Sequence, residues 1–154
     1  MTGQLKNRKQ ANMQARVKWV EDALFLAESG SGHTITMDGP PEAGGRNLAA
    51  RPMEMLLMGL GGCSTFDVVS ILKKSRQDVD GCEVEIRAER ADTEPKVFTR
   101  IELHFVVRGR GLREAAVKRA VELSAEKYCS ASIMMERAGV AVSHSYSLVE
   151  LGGE

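Results

Sequence analysis

The sequence of 154 residues is short of several things at once. It has no net charge, because 21 basic residues balance 21 acidic ones. Phosphate recognition needs a concentrated positive footprint, so nucleic acid is excluded as a main partner. Its three cysteines show no CxxC spacing, which excludes a thioredoxin-type motif, and they suit a reducing compartment better than a disulfide scaffold. His33, His104 and His144 have no ligand spacing to those cysteines, so no metal site is expected. Also missing are a nucleophile elbow, a phosphate-binding glycine loop and a carboxylate pair spaced for acid–base work, and the "GG" steps lack the flanks of a dinucleotide fold. No apolar run reaches the roughly 18 residues of a membrane span, because Asp67 and Lys73 interrupt the best candidate. The leading "MTGQLKNRKQAN" has Lys6, Arg8 and Lys9 with no apolar stretch behind them. It therefore reads as a flexible, solvated tail over residues 1–12 and not as a secretory signal, with Met13 as an alternative start. The expectation is a soluble, cytoplasmic protein with a single domain over residues 13–154.

What the sequence does have is clear periodicity. "ARVKWV", "ALFLAES" and "HTITMD" alternate apolar and polar residues, as half-buried strands do, and "GSG" supplies a turn between the last two. "GPPEAGGRNLAARP" is a loop. Pro52 then opens a helix whose apolar residues, from Met53 to Leu72, occupy almost every side, with Lys73, Lys74 and Arg76 at its C-terminal end. Two further strands follow: Cys82, Val84, Ile86 and Ala88 share one face, and Ile101, Leu103, Phe105 and Val107 share another. An amphipathic helix runs through "LREAAVKRAVELSAEKYC" with Val117, Val121 and Ala125 on one stripe. Ser130 is placed to cap a short helix ended by Gly139. "VAVSHSYSLVE" is a last strand, in which His144 interrupts the apolar series; His104 lies on the polar side of its own strand. The order implies an α+β fold of antiparallel sheets around a long buried central helix. One sheet covers only one face of such a helix, so a homodimer with its central helices in contact is the simplest arrangement. Gly59 and Gly62, three apart, provide a face where another backbone can come near.

The same helix raises a chemical question. "GLGGCST" places Gly61, Gly62 and Ser64 around Cys63, although glycine inside a helix costs about 1 kcal/mol relative to alanine. The commoner fate of a free cysteine is burial as a small hydrophobe, and spacing alone leaves both readings open. Mid-helix, the thiol receives no help from a helix N-terminus, so activation needs a nearby cation. Asp67, one turn on, would oppose a thiolate if it faced the same cavity unpaired. Cys129, in "EKYCSAS", falls between two helices and is equally open; Cys82 reads as a core residue on a regular strand.

"RPMEMLLMGLGGCSTFDVVSILKKSRQDV" together with "SAEKYCSASIMME" resembles the OsmC/Ohr family, most closely its YhfA-like branch, over nearly the whole stretch from Met13 to Val149. The resemblance implies an OsmC-like fold, an intertwined homodimer, and two redox cysteines at positions matching Cys63 and Cys129. By that likeness Cys63 attacks an organic or lipid hydroperoxide and becomes a sulfenic acid, and Cys129 resolves it as a disulfide. An external dithiol, such as a lipoyl group, then reduces the pair, with no resident cofactor. Met53, Met58, Gly62 and Ser64 are the expected substrate pocket. Two family features are missing. Met53 stands where the family carries a glutamate; the acid present, Glu54, is the candidate to orient an activating arginine, though it lies nine residues before Cys63, about 13.5 Å along a regular helix and on its other side. "WVEDALFLAE" lacks the family's activating arginine, which leaves the cation unidentified among Arg16, Arg46 and Arg51. A thiol of ordinary pKa, about 8.5, is only a few per cent thiolate at neutral pH. The alternative is therefore a non-catalytic or weakly redox-active dimer binding an apolar small molecule at its interface.

Overall fold

The computed structural model describes residues 13–152; the tail expected over residues 1–12 lies outside the described residues. The chain divides into two compact units, one ending at Met55 and one beginning at Leu56.

In the first unit, β1 (Ala15–Glu21), β2 (Leu24–Ser29) and β3 (Thr34–Met37) form an antiparallel sheet in chain order. Asp22, at φ 46°, and Gly32, at φ 91°, make the two reversals; both residue types tolerate the left-handed region. The period-two pattern sets the register. Val17, Ala27 and Ile35 form one cross-strand row, and Trp19, Phe25 and Met37 the next, all on one face. That face is not closed, since Val17 is 57% and Trp19 63% exposed. Behind β3, the buried carboxylate of Asp38 accepts the backbone N–H groups of Gly39, Arg46 and Leu48 at 2.7, 3.2 and 3.0 Å. Those amides, Leu48 first, hold its carboxyl below the usual range.

Helix α1 (Pro52–Lys74) starts at the end of this unit and continues through the second. By length and composition alone it could cross a membrane. In the fold, however, one stripe of it is packed away: Leu60, Gly61, Ser64, Val68 and Leu72 are buried. The opposite side is open, with Leu56, Met58 and Phe66 exposed, so the expected burial on nearly all faces is not met within one chain. The glycines divide accordingly. A Cβ on Gly61 would lie 2.7 Å from Ile86 Cδ1 and 3.2 Å from Val84 Cγ1, whereas one on Gly59 or Gly62 would meet nothing within 4 Å among the described residues.

Strands β4 (Asp78–Arg90), β5 (Phe98–Arg110) and β6 (Ala141–Glu150) form the second sheet, ordered β4-β5-β6. β5 is its central strand, and Ile101, Leu103, Phe105 and Val107 are fully buried on the face their alternation predicts. β4 pairs with β5 antiparallel, but β6 runs parallel to β5, a departure from the expected antiparallel sheets. A parallel neighbour requires a long crossover. Here α2 (Glu114–Leu123), a π-helical turn (Ser124–Tyr128) and α3 (Ser130–Arg137) provide it, with both helices packed against β6.

Candidate active site: a thiol pair with a buried carboxyl

The crossover brings two segments together. α1 presents Cys63, Ser64 and Asp67. The end of the π turn delivers Cys129, because residues 124–128 carry one extra residue per turn and the chain leaves them extended at Cys129 (φ −74°, ψ 99°). π turns of this kind recur at functional sites. Cys129 caps α3: its Sγ accepts the N–H of Ser132 at 3.4 Å. The sequence pointed to Ser130 as that cap, but a sulfur one residue earlier takes the place.

The result is one compact cluster, in which a carboxylate oxygen of Asp67 and the sulfurs of Cys63 and Cys129 all lie within 4.8 Å of one another. All cysteines are free. Cys129 is fully buried and lies 3.1 Å from Ser64 Oγ, whereas Cys63 is only half-buried. Burial pushes the Cys129 thiol up; the Ser64 and Ser132 contacts pull it down, and neighbouring Cys63 pushes it up again. Ser124 Oγ donates to the Ser64 carbonyl at 3.2 Å, which ties the π turn to the helix. Ser132 also meets His144 Nε2, at 3.3 Å from its Oγ. Burial holds the His144 imidazole below its ordinary pKa and therefore favours its neutral form, and the ring stacks on Phe105 with centroids 6.5 Å apart.

Asp67 completes the group. Its Oδ2 is buried without a hydrogen-bond partner among the described residues. Burial raises its pKa, opposed by the adjacent Ser124 hydroxyl. The sequence identified Asp67 only as a hazard to a thiolate; its i,i+4 spacing from Cys63 was the available signal. Two thiols and a carboxyl are a donor set suited to a thiophilic ion, and Cys129 is also engaged by Ser64 and the Ser132 amide.

The other sequence candidates are placed as follows. Glu54 accepts the Arg51 N–H at 2.9 Å and so caps the start of α1. Arg46 pairs with Glu21. Met58 is exposed and Met53 half-buried. Ser64 is buried against Cys129, and Gly62 lines an apolar cavity of about 550 Å³ with Thr65, Phe66, Val69, Ser70 and Lys73. A second cavity, about 420 Å³, is lined by Asp67, Phe66, Ile71, Lys74, Leu123 and Tyr128 among others. His104 lies apart, bonded to Ser145 and Ser147 on β6.

Residues 44–145 match the family described as OsmC-like protein. The chain belongs to the OsmC-like family. Protein YhfA of Escherichia coli K12 is 59% identical over 137 residues, covering 89% of this chain and 98% of that protein. An OsmC-like protein of Mycoplasma pneumoniae superposes with a TM-score of 0.78 at 16% identity, over 92% of this chain and all of that one. An organic hydroperoxide resistance protein OsmC of Legionella pneumophila does so at 0.69 and 19%, over 91% and 99%. At such identities the likeness establishes the fold alone. The α+β OsmC-like fold expected from the residues around Cys63 and Cys129 is borne out.

Proposed function

We propose that the protein reduces organic or lipid hydroperoxides with a peroxidatic and a resolving cysteine. The observation that carries this reading is the proximity of two free thiols, one half-buried and one fully buried, in a fold of the OsmC-like family. The accessible Cys63 is the attacking thiol. Its thiolate takes the distal peroxide oxygen as the O–O bond breaks, the alkoxide leaves as alcohol, and Cys63 becomes a sulfenic acid. Cys129 then displaces hydroxide to form the disulfide. An external dithiol returns both thiols. The apolar cavity at Gly62, Phe66 and Val69 supports a bulky, apolar substrate.

The working form is a cytoplasmic homodimer. Each unit leaves an apolar face open: Val17, Trp19 and Ile35 on the first sheet, and Leu56, Met58 and Phe66 on α1, where Phe66 is 74% exposed. Gly59 and Gly62 leave that side of the helix clear for a second backbone.

One observation favours the alternative, a weakly redox-active dimer that binds an apolar small molecule. The cluster holds a carboxyl, and the pKa of Cys129 is raised. Turnover decides between them. Consumption of cumene hydroperoxide with dihydrolipoamide as reductant is expected at a rate abolished by Cys63→Ser; a rate no higher than that of the Cys63→Ser variant supports the alternative.

A further inference from the structure

An unpartnered carboxylate oxygen beside two thiols needs a physical reason. A carboxylate next to a thiolate is repulsive, and a buried one lacking a hydrogen bond is destabilising by itself. Asp67 nevertheless sits one helical turn from Cys63 and has a carboxyl oxygen within 4.8 Å of both sulfurs, with Oδ2 buried and unsatisfied. The Ser124 hydroxyl beside Asp67 donates to the Ser64 carbonyl at 3.2 Å. What the arrangement can do is exchange protons with a thiol. A separation of up to 4.8 Å is one that a small side-chain rotation or a single bridging water closes, as in many resting acid–base pairs. Burial also moves the carboxyl toward the thiol range, which improves the match between donor and acceptor.

We infer that Asp67 is the proton carrier for Cys129: it takes the thiol proton as the Cys63–Cys129 disulfide closes and delivers it to the departing group. The inference rests on the two-cysteine reading above and names the residue that completes it. The step balances. Asp67 carboxylate and Cys129 thiol become carboxylic acid and thiolate. The thiolate attacks the Cys63 sulfenic sulfur, the S–S bond forms and the S–O bond breaks. The released hydroxide takes the Asp67 proton and leaves as water, which restores the carboxylate. Cys129 is the thiol that needs this help, because it is fully buried and its pKa is raised. Among the described residues, the titratable groups around it are Cys63 itself, Lys74 and Tyr128, which line the adjoining cavity with Asp67, and His144, reached through Ser132.

Closure is measurable without any peroxide. With Ellman's reagent, the full-length reduced protein carrying Cys82→Ser, which removes the third free and half-buried thiol, releases one thionitrobenzoate as Cys63 forms a mixed disulfide, and a second as Cys129 displaces it. For Asp67→Asn the first release is expected within about threefold of wild type. The second should be slowed about tenfold or more at pH 7 and regained toward pH 9, where solvent takes the proton. Asp67→Glu should recover part of the rate. Thermal melts establish that each variant is folded. Simple electrostatics predicts the opposite, since removing a negative charge eases thiolate formation and accelerates closure. A second release in Asp67→Asn as fast as wild type across pH 6–9, or faster, overturns the inference; so does slowing confined to the first release. A wild-type protein inert to peroxide but slowed by Asp67→Asn in this assay retires the peroxidase reading and keeps the proton carrier.

Discussion

At the residue scale, two carboxyls have opposite settings. Asp38 is charged by design: three backbone amides converge on it, and its carboxyl is held below the usual range. Its contribution to stability is present above the ordinary aspartate pKa of about 3.9 and is lost as pH falls through the lower folded value. Asp38→Ala should therefore destabilise the first sheet and its loop at neutral pH, with the difference shrinking in acid, as read by thermal melts between pH 7 and 3. Asp67 runs the other way. Its folded pKa is raised, so the fold is favoured when it is protonated and loses that advantage as pH rises. Asp67→Asn should melt above wild type at pH 7, and the gain should disappear below about pH 4. A carboxyl buried beside two thiols thus comes with a stability penalty, as functional groups often do.

At the element scale, α1 carries two surfaces with different tasks. Its buried stripe runs through Leu60, Ser64, Val68 and Leu72, and Gly61 is the point where Val84 and Ile86 of β4 come closest. Gly61→Val should cost about 1–3 kcal/mol in urea unfolding, because the methyls would overlap the β4 side chains. Gly59→Ala should leave the protomer unharmed and read out only in association, since none of the described residues lies within 4 Å of the new methyl. The π turn and α3 are the second functional element. Ser124 ties the turn to the Ser64 carbonyl of α1, Ser64 meets the Cys129 sulfur, and the Ser132 amide donates to it, whereas the sequence showed only a cysteine between two helices.

At the scale of the whole molecule, legibility followed the range of the interaction. Period-two alternation identified the buried face of β5, Ile101 to Val107, because each residue's side is decided locally. The parallel pairing of β6 depends on where a crossover lands, and no local pattern reports it. The meeting of Cys63 and Cys129, 66 residues apart, came from family likeness, and neither residue's neighbours imply it. Asp67 was visible as a hazard, but its orphaned oxygen needs the π turn in place before it can be seen. The uncovered apolar faces bear on assembly: light scattering should give twice the chain mass, and Phe66→Asp should shift it toward the monomer.

The central claim is that Cys63 and Cys129 form one redox pair. Mass spectrometry of the reduced protein after one equivalent of cumene hydroperoxide at neutral pH tests it most directly. The account predicts rapid loss of two hydrogens, a crosslinked peptide joining Cys63 to Cys129, and a trapped sulfenic acid at Cys63 in Cys129→Ser. Both thiols still alkylable after that treatment would contradict it.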